Sequence, residues 1–198
     1  MAQRGSYAKG VAKRDEILRT ALEVIAREGF RNTSVRELAD AVGLSQAGLL
    51  HYFGTKEELY TAILSKRDEV DIDTYGPIDT ADQPRGVLET YLNVIRHNAD
   101  VPGLVQLFAH VSVDAVDPQH PAHDYFAGRQ HRLRDLFVPV IERLQQEGRL
   151  TTRIDPATLA TIVLALGDGL QTQWLVDPEL DMAGTIAALL GALELRAD

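Results

Sequence analysis

Apolar residues recur every three or four positions through almost all of this chain, and they alternate nowhere over a useful length. From Val11 to Glu28 the spacing of Ile17, Leu18, Ala21, Leu22, Val24 and Ile25 predicts one amphipathic helix. Gly29 suits the left-handed stop after it, with Phe30 folding back on the last turn. Ser34-Val35-Arg36-Glu37 has the capping-box order and predicts a short helix to Val42, ended by Gly43. Ser45 caps a second short helix to about Phe53, which Gly54 breaks. Thr55-Lys56-Glu57-Glu58 repeats the capping box and opens a helix to about Val70.

Asp71 to Pro84 carries Gly76, Pro77, Pro84 and several acids, and is expected to be a loop and a boundary. Beyond it, periodicity predicts helices near 85–99, 102–116, 121–147, 156–175 and 181–195. Asp155-Pro156 supplies a cap followed by proline in the first turn. Pro118, Pro121 and Pro178 fall in the connections, and residues 1–9 are expected to form a flexible arm. The fold class is all-α, with about nine helices.

The stretch Val35–Lys56, VRELADAVGLSQAGLLHYFGTK, carries the most information. Leu38, Val42, Leu44, Leu49 and Tyr52 are placed to meet between two short helices. Ala39 is small enough for two crossing helices to touch there. Gly43 sits where the turn needs positive φ, which penalises any residue with a Cβ. A small residue, glycine four later and an apolar residue ten later form a helix-turn-helix pattern. A plain helical hairpin explains the apolar positions equally well. It does not explain the outward face of Ser45, Gln46, Gly48 and His51, which is hydrogen-bonding or small and free of acids. Such a face suits base edges, where phosphates would repel a carboxylate.

Charge sharpens this picture. The net charge is −9, which alone disfavours nucleic acid. Residues 1–56 nevertheless hold nine Lys and Arg against six Asp and Glu, while 57–198 hold eleven against twenty-three. A mildly basic head on an acidic body fits phosphate contact by the head alone. There are no cysteines, so disulfides, thiolate metal sites and a cysteine nucleophile are excluded. Arg4, Lys9, Lys13 and Arg14 precede no signal-peptide core, and no run approaches a membrane span, so a cytoplasmic location is expected. His120-Pro121-Ala122-His123 lacks a third ligand and is expected to be loop rather than a metal site. Phosphate-binding loops, nucleophile elbows and HExxH patterns are missing, so neither an enzyme nor a cofactor is expected.

The run TSVRELADAVGLSQAGLLHYFGTKEEL resembles the DNA-binding domain of TetR-family repressors, over about residues 11–64. The later stretch GDGLQTQWLVDPELDM is similar to the end segment of a subgroup with BetI-like ligand domains. The resemblance implies a three-helix DNA-binding domain over 1–56 and a larger helical ligand-binding and dimerisation domain over 57–198. It implies that Thr33 and Ser34 meet phosphate and that Arg36 reaches a base or a phosphate. Ser45 caps the recognition helix at the phosphates, and Gln46, Ala47 and Gly48 face the major groove. Gln46 suits adenine and the Ala47 methyl suits thymine. His51 and Tyr52 fall in the backbone-contacting segment, and Lys56 matches the family's phosphate-binding lysine. Leu50 departs from the tyrosine of many relatives, and His51 or Tyr52 is left to replace that contact.

One short recognition helix offers too little surface, so a homodimer on a palindromic duplex is expected. Two stripes are candidates for pairing. One is Leu159, Ile162, Val163, Leu166 and Leu170; the other is Ile186, Leu189, Leu190 and Leu193. Gly167, Gly169, Gly184 and Gly191 permit close approach. The same stripes also suit a monomer core. Tyr91, Phe108, His110, Phe126, Gln171 and Trp174 mix apolar walls with polar groups and are the candidate pocket for a small-molecule effector. The resemblance implies that such an effector releases the dimer from DNA. An all-helical carrier or enzyme is the alternative.

Overall fold

The computed structural model describes residues 2–75 and 84–194. Among them run nine helices: α1 (Ala2–Glu28), α2 (Val35–Ala41), α3 (Gln46–Phe53), α4 (Lys56–Tyr75), α5 (Pro84–Asn98), α6 (Pro102–Asp114), α7 (His123–Gln146), α8 (Pro156–Trp174) and α9 (Met182–Leu193). A 3-10 turn, Phe30–Asn32, follows α1. No strand forms among the described residues; one antiparallel bridge pairs Leu150 with Glu194. The expected all-α fold class is what the structure has.

Several boundaries differ from the sequence reading; α6 ends at Asp114 rather than near 116, and α7 begins at His123 rather than near 121. Residues 2–9, expected as an arm, continue α1. Gly5 weakens that turn, but nothing there stops a helix. In the expected 71–84 loop, residues 71–75 prolong α4, because helix-breaking chemistry begins only at Gly76-Pro77. Residues 76–83 lie outside the described residues. α9 ends at Leu193, since Glu194 turns extended to bridge Leu150; residue 195 is outside the described residues.

The backbone gathers into two compact units. The first takes residues 1–70 and 101–125, the second 71–100 and 126–198. The expected 56/57 division thus falls inside the first unit, at the start of α4.

In the first unit α1 buries the predicted face, Ile17, Leu18, Ala21, Leu22, Val24 and Ile25. It packs on α2, on α6 and on the 3-10 turn. The approach of α6 is close enough to require glycine. A Cβ on Gly103 would overlap the Ile25 carbonyl oxygen and come within 2.9 Å of Gly29 Cα. Lys66 of α4 is buried, with its ammonium held by Asp15 of α1 at 2.5 Å and Glu69 at 2.8 Å. The Arg67 guanidinium lies 5.9 Å over the Phe108 ring and donates to the Leu104 carbonyl at 3.4 Å. The Phe30 ring meets Tyr60 at 5.2 Å and His110 at 5.3 Å.

The second unit is built on apolar faces of α5, α7, α8 and α9, with Phe137, Ile141, Leu159 and Ile186 fully buried. Asp155 caps α8 by accepting from the Thr158 amide at 3.0 Å, with Pro156 in the first turn. Asp181 caps α9 through the Gly184 amide at 2.8 Å, a cap the sequence reading did not identify.

Replacing Gly103 with Ala is expected to cost about 3 kcal/mol, because backbone atoms on both sides cannot yield. Gly10→Ala is the control, since nothing lies within 4 Å of its added methyl. It should stabilise by about 0.5–1 kcal/mol through helix propensity. Denaturant unfolding of both variants measures this, and a wild-type midpoint for Gly103→Ala would remove the close α1–α6 approach.

Candidate nucleic-acid interface

The interface begins with how α2 is started and stopped. Ser34 Oγ accepts from the Glu37 amide at 3.2 Å, and the Ser34 amide donates to the Glu37 carboxylate at 2.7 Å. This satisfies two of the backbone donors that the start of α2 leaves without intrahelical partners. Those bonds from Ser34 hold the Glu37 carboxyl below its ordinary value of 4.5. At the other end Gly43 has φ +68°, as the turn demands. Its amide and that of Leu44 donate back to Asp40 and Ala39 at 3.1 and 2.9 Å.

Ser45 then caps α3, accepting from the Gly48 amide at 3.0 Å. Leu38, Ala39 and Leu49 are sealed where α2 and α3 cross, while Val42, Leu44 and Tyr52 are only half-buried. Phe53 rather than Tyr52 is the buried ring at the end of α3. Thr55 and Glu58 form the second capping box, at 2.7 and 3.1 Å.

Ser45, Gln46, Ala47 and His51 stand exposed, with Gly48, Leu50 and Tyr52 half-buried beside them. No carboxylate lies between Val42 and Lys56. The Ser34 and Ser45 hydroxyls accept in their caps and still hold a proton to donate. Arg36 is 81% exposed and sits 3.9 Å from Asp40. Lys56 is exposed, its ammonium 5.3 Å from the Tyr60 ring centroid. A groove of about 470 Å³ brings Ser34, Arg36, Gln46 and Lys56 together with Arg31, Phe30 and His110. Thr33 also lines it, but Thr33 is buried and its hydroxyl donates to the Gly29 carbonyl at 2.8 Å.

Two residues essential to this geometry escaped the sequence reading. The Arg14 guanidinium of α1 donates to the Tyr52 carbonyl at 3.1 Å and stacks 4.5 Å over the Phe53 ring. It places a positive charge at the C-terminal end of α3, where the helix dipole favours one. Lys13 reaches the Val42 carbonyl at 3.5 Å, at the end of α2. Both bonds span about thirty or more residues, so no local pattern marks them.

The six candidate effector residues divide between the units. Phe108 and His110 belong to the first, Tyr91, Phe126, Gln171 and Trp174 to the second. Gln171 and Trp174 are buried with their polar atoms engaged. Gln171 accepts from Asn98 at 3.2 Å, and Trp174 donates to the Pro178 carbonyl at 3.1 Å. His120 Nδ1 accepts from the Ala122 amide at 3.1 Å, and His123 Nδ1 donates to the Ala115 carbonyl at 2.9 Å. No group of three metal-ligating side chains occurs among the described residues, and none of their helices is long and apolar enough to cross a membrane.

Residues 17–63 match the family model of bacterial regulatory proteins of the tetR family. Residues 113–195 match that of the BetI-type transcriptional repressor C-terminal domain. The HTH-type transcriptional repressor KstR2 of Rhodococcus jostii is 25% identical over 159 residues, 72% of this chain and 70% of that protein. The HTH-type transcriptional regulator RutR of Escherichia coli is 42% identical over 53 residues, 27% of this chain and 25% of that protein. A TetR transcription regulator from Haloarcula marismortui superposes with a TM-score of 0.72 at 21% identity, covering 93% of this chain and 100% of that one. Its likeness extends to the fold.

Two expectations test how α3 and α2 are held. Arg14→Ala should lower stability by about 1–2 kcal/mol, having lost a charged hydrogen bond and a stacked cation. Arg14→Lys should recover only part of it, because an ammonium cannot both stack and reach the carbonyl. Thermal unfolding distinguishes them. For Glu37 the depressed folded value means its contribution is present above 4.5 and lost as pH falls through the lower folded value. Glu37→Gln should therefore lose less stability than wild type on going from about pH 5 to about pH 3. Equal losses would detach the capping box from the acid limb.

Proposed function

This chain belongs to the TetR family of transcriptional regulators, and from that premise we propose that it is a ligand-released repressor binding a palindromic operator as a homodimer. Regulation of transcription through DNA binding follows from the family; the dimer, the operator form, the effector and the contact residues are our reading. One observation carries it. The side of α3 turned away from the core, Ser45 to His51, is bare, acid-free and flanked by Arg36 and Lys56.

In this reading Gln46, Ala47 and Gly48 meet base edges in the major groove. Ser34, Ser45, Lys56 and either His51 or Tyr52 hold phosphates, and Arg36 reaches one or the other. Thr33 contributes through the turn it braces rather than through its hydroxyl, which is already spent on Gly29. Functionally, residues 1–56 form the DNA-binding part and 57–198 the ligand-binding and dimerisation part, working in the cytoplasm.

The homodimer reading draws on α8 and α9. Asp168 is the only charged residue from Pro156 to Val176, and Met182–Leu193 has none. Leu159, Val163 and Leu170 are buried in the unit's own core, whereas Ile162 is 40% exposed. Its exposed companions on α8 include Thr161, Ala165, Gly169 and Thr172, with Thr185, Ala188 and Gly191 on α9. In a chain with 25% charged residues, two helices without outward charge fit an interface core. The effector acts by binding one arrangement of the dimer better than the DNA-bound one, so its free energy shifts the population off the operator.

Gel-shift titration on an inverted repeat from upstream of the chain's own gene tests the reading. Gln46→Ala should cost about 1–3 kcal/mol and relax preference at one base pair per half-site. Lys56→Ala should weaken all sequences alike and lower the salt slope by about one per chain. Absence of sequence preference in the wild type at moderate salt would refute the repressor.

A further inference from the structure

The groove beside α3 holds two basic side chains that the proposed contacts leave out. Ser34, Arg36, Gln46 and Lys56 in its lining are already assigned to DNA; Arg31 of the 3-10 turn and His110 of α6 are not. Both lie in the first compact unit, outside the helix-turn-helix itself. Arg31 is exposed, and among the described residues it pairs with no carboxylate. The same holds for Lys56. Two cations left unneutralised beside one opening, on a chain of net charge −9, favour an anion there.

His110 is tied to the same wall by a run of ring contacts. Its imidazole lies 5.3 Å from the Phe30 ring, Phe30 is edge-on to Tyr60 at 5.2 Å, and the Lys56 ammonium stands 5.3 Å from the Tyr60 ring. Four elements therefore set basic groups round one opening: the 3-10 turn, α2, α4 and α6. None of the residues that line it is acidic. Asp40, 3.9 Å from Arg36, and Asp114, 3.8 Å from the His110 ring, are near but not in the lining. The same is true of Glu57, whose charge acts on Tyr60. Asp114 favours a charged imidazole, whereas Arg31, Arg36 and Lys56 oppose one until an anion lies between them. The volume, about 470 Å³, exceeds a single phosphate group. Gln46 lines the groove too, so a strand whose base Gln46 reads carries its own backbone past this opening.

We propose that the groove seats a stretch of the operator's sugar-phosphate backbone, and that Arg31 and His110 bind its phosphates alongside Lys56. The assignment rests on the DNA-binding reading of α3. Arg31 supplies a permanent charge. His110 supplies a donor that becomes a cation as pH falls, so binding tightens and its salt dependence steepens in acid. These contacts carry no base information and strengthen every sequence alike.

The full chain is titrated, over a series of salt concentrations, onto the inverted-repeat duplex and onto a scrambled duplex of equal length. Arg31→Gln should lower the salt slope by about one per chain on both, and Arg31→Lys should keep it. Arg153→Gln removes the same charge from an exposed site in the second unit and should leave the slope unchanged. His110→Phe keeps a ring against Phe30 but removes the donor and the charge. Between about pH 8 and about pH 6 it should gain roughly tenfold less affinity than wild type. The proposal is overturned if Arg31→Gln keeps the full slope, if Arg31→Lys or Arg153→Gln loses as much, or if His110→Phe keeps the wild-type response to pH. A wild type that binds neither duplex overturns it together with the repressor. Equal wild-type affinity for the two duplexes, with the slope still lowered by Arg31→Gln, refutes the sequence-specific repressor and not the groove.

Discussion

The crossing of α2 on α3, with Ala39 and Leu49 sealed in it, is the constraint on which the rest depends. Both side chains are fully sealed, so α2 and α3 can cross in one way only. A larger residue at 39 would push the helices apart, and a shift of α3 by one residue would put Gly48 or Leu50 in the place of Leu49. Because the crossing consumes one side of α3, the other side is necessarily bare. What that bare side carries is a separate matter, and there the chain has placed small and hydrogen-bonding residues rather than the charged ones of an ordinary solvated face.

The crossing is held from outside as well as from within. Caps at Ser34, Ser45 and Thr55 begin α2, α3 and α4 at defined residues. Positive φ at Gly43 and Gly54 closes the turns between them. Arg14 and Lys13 then fasten the ends of α3 and α2 to α1. A recognition surface reads bases only if its side chains are positioned to a fraction of an ångström, and short helices do not hold themselves. The rigidity comes from α1, which is why a helix with no exposed role on α3 matters to what α3 does.

Much of this was legible in the residues alone. Helical spacing, both capping boxes, the glycine at 43 and the Asp155 cap are local signals, and the structure has each of them. What was not legible depends on which element lies beside which. Arg14 looks like one more surface cation until the fold brings Tyr52 and Phe53 beneath it. His110 suits a pocket by composition, yet the turn at Phe30 places it next to the groove of Arg36 and Lys56. Tyr52 and Phe53 are adjacent aromatics, and sequence spacing does not say which one turns inward. The Thr33 hydroxyl looks available until Gly29, four residues back, is seen to accept from it.

The absence of cysteine allows a direct measurement of where α3 goes. Ala47→Cys carries the only thiol, to which a DNA-cleaving iron chelate can be attached. Bound to its operator, this variant should cut at two foci, one in the major groove of each half-site, separated by about ten base pairs or a multiple. Cleavage scattered along the duplex, or none beyond that of free chelate, would contradict the placement of the bare side of α3 against the bases.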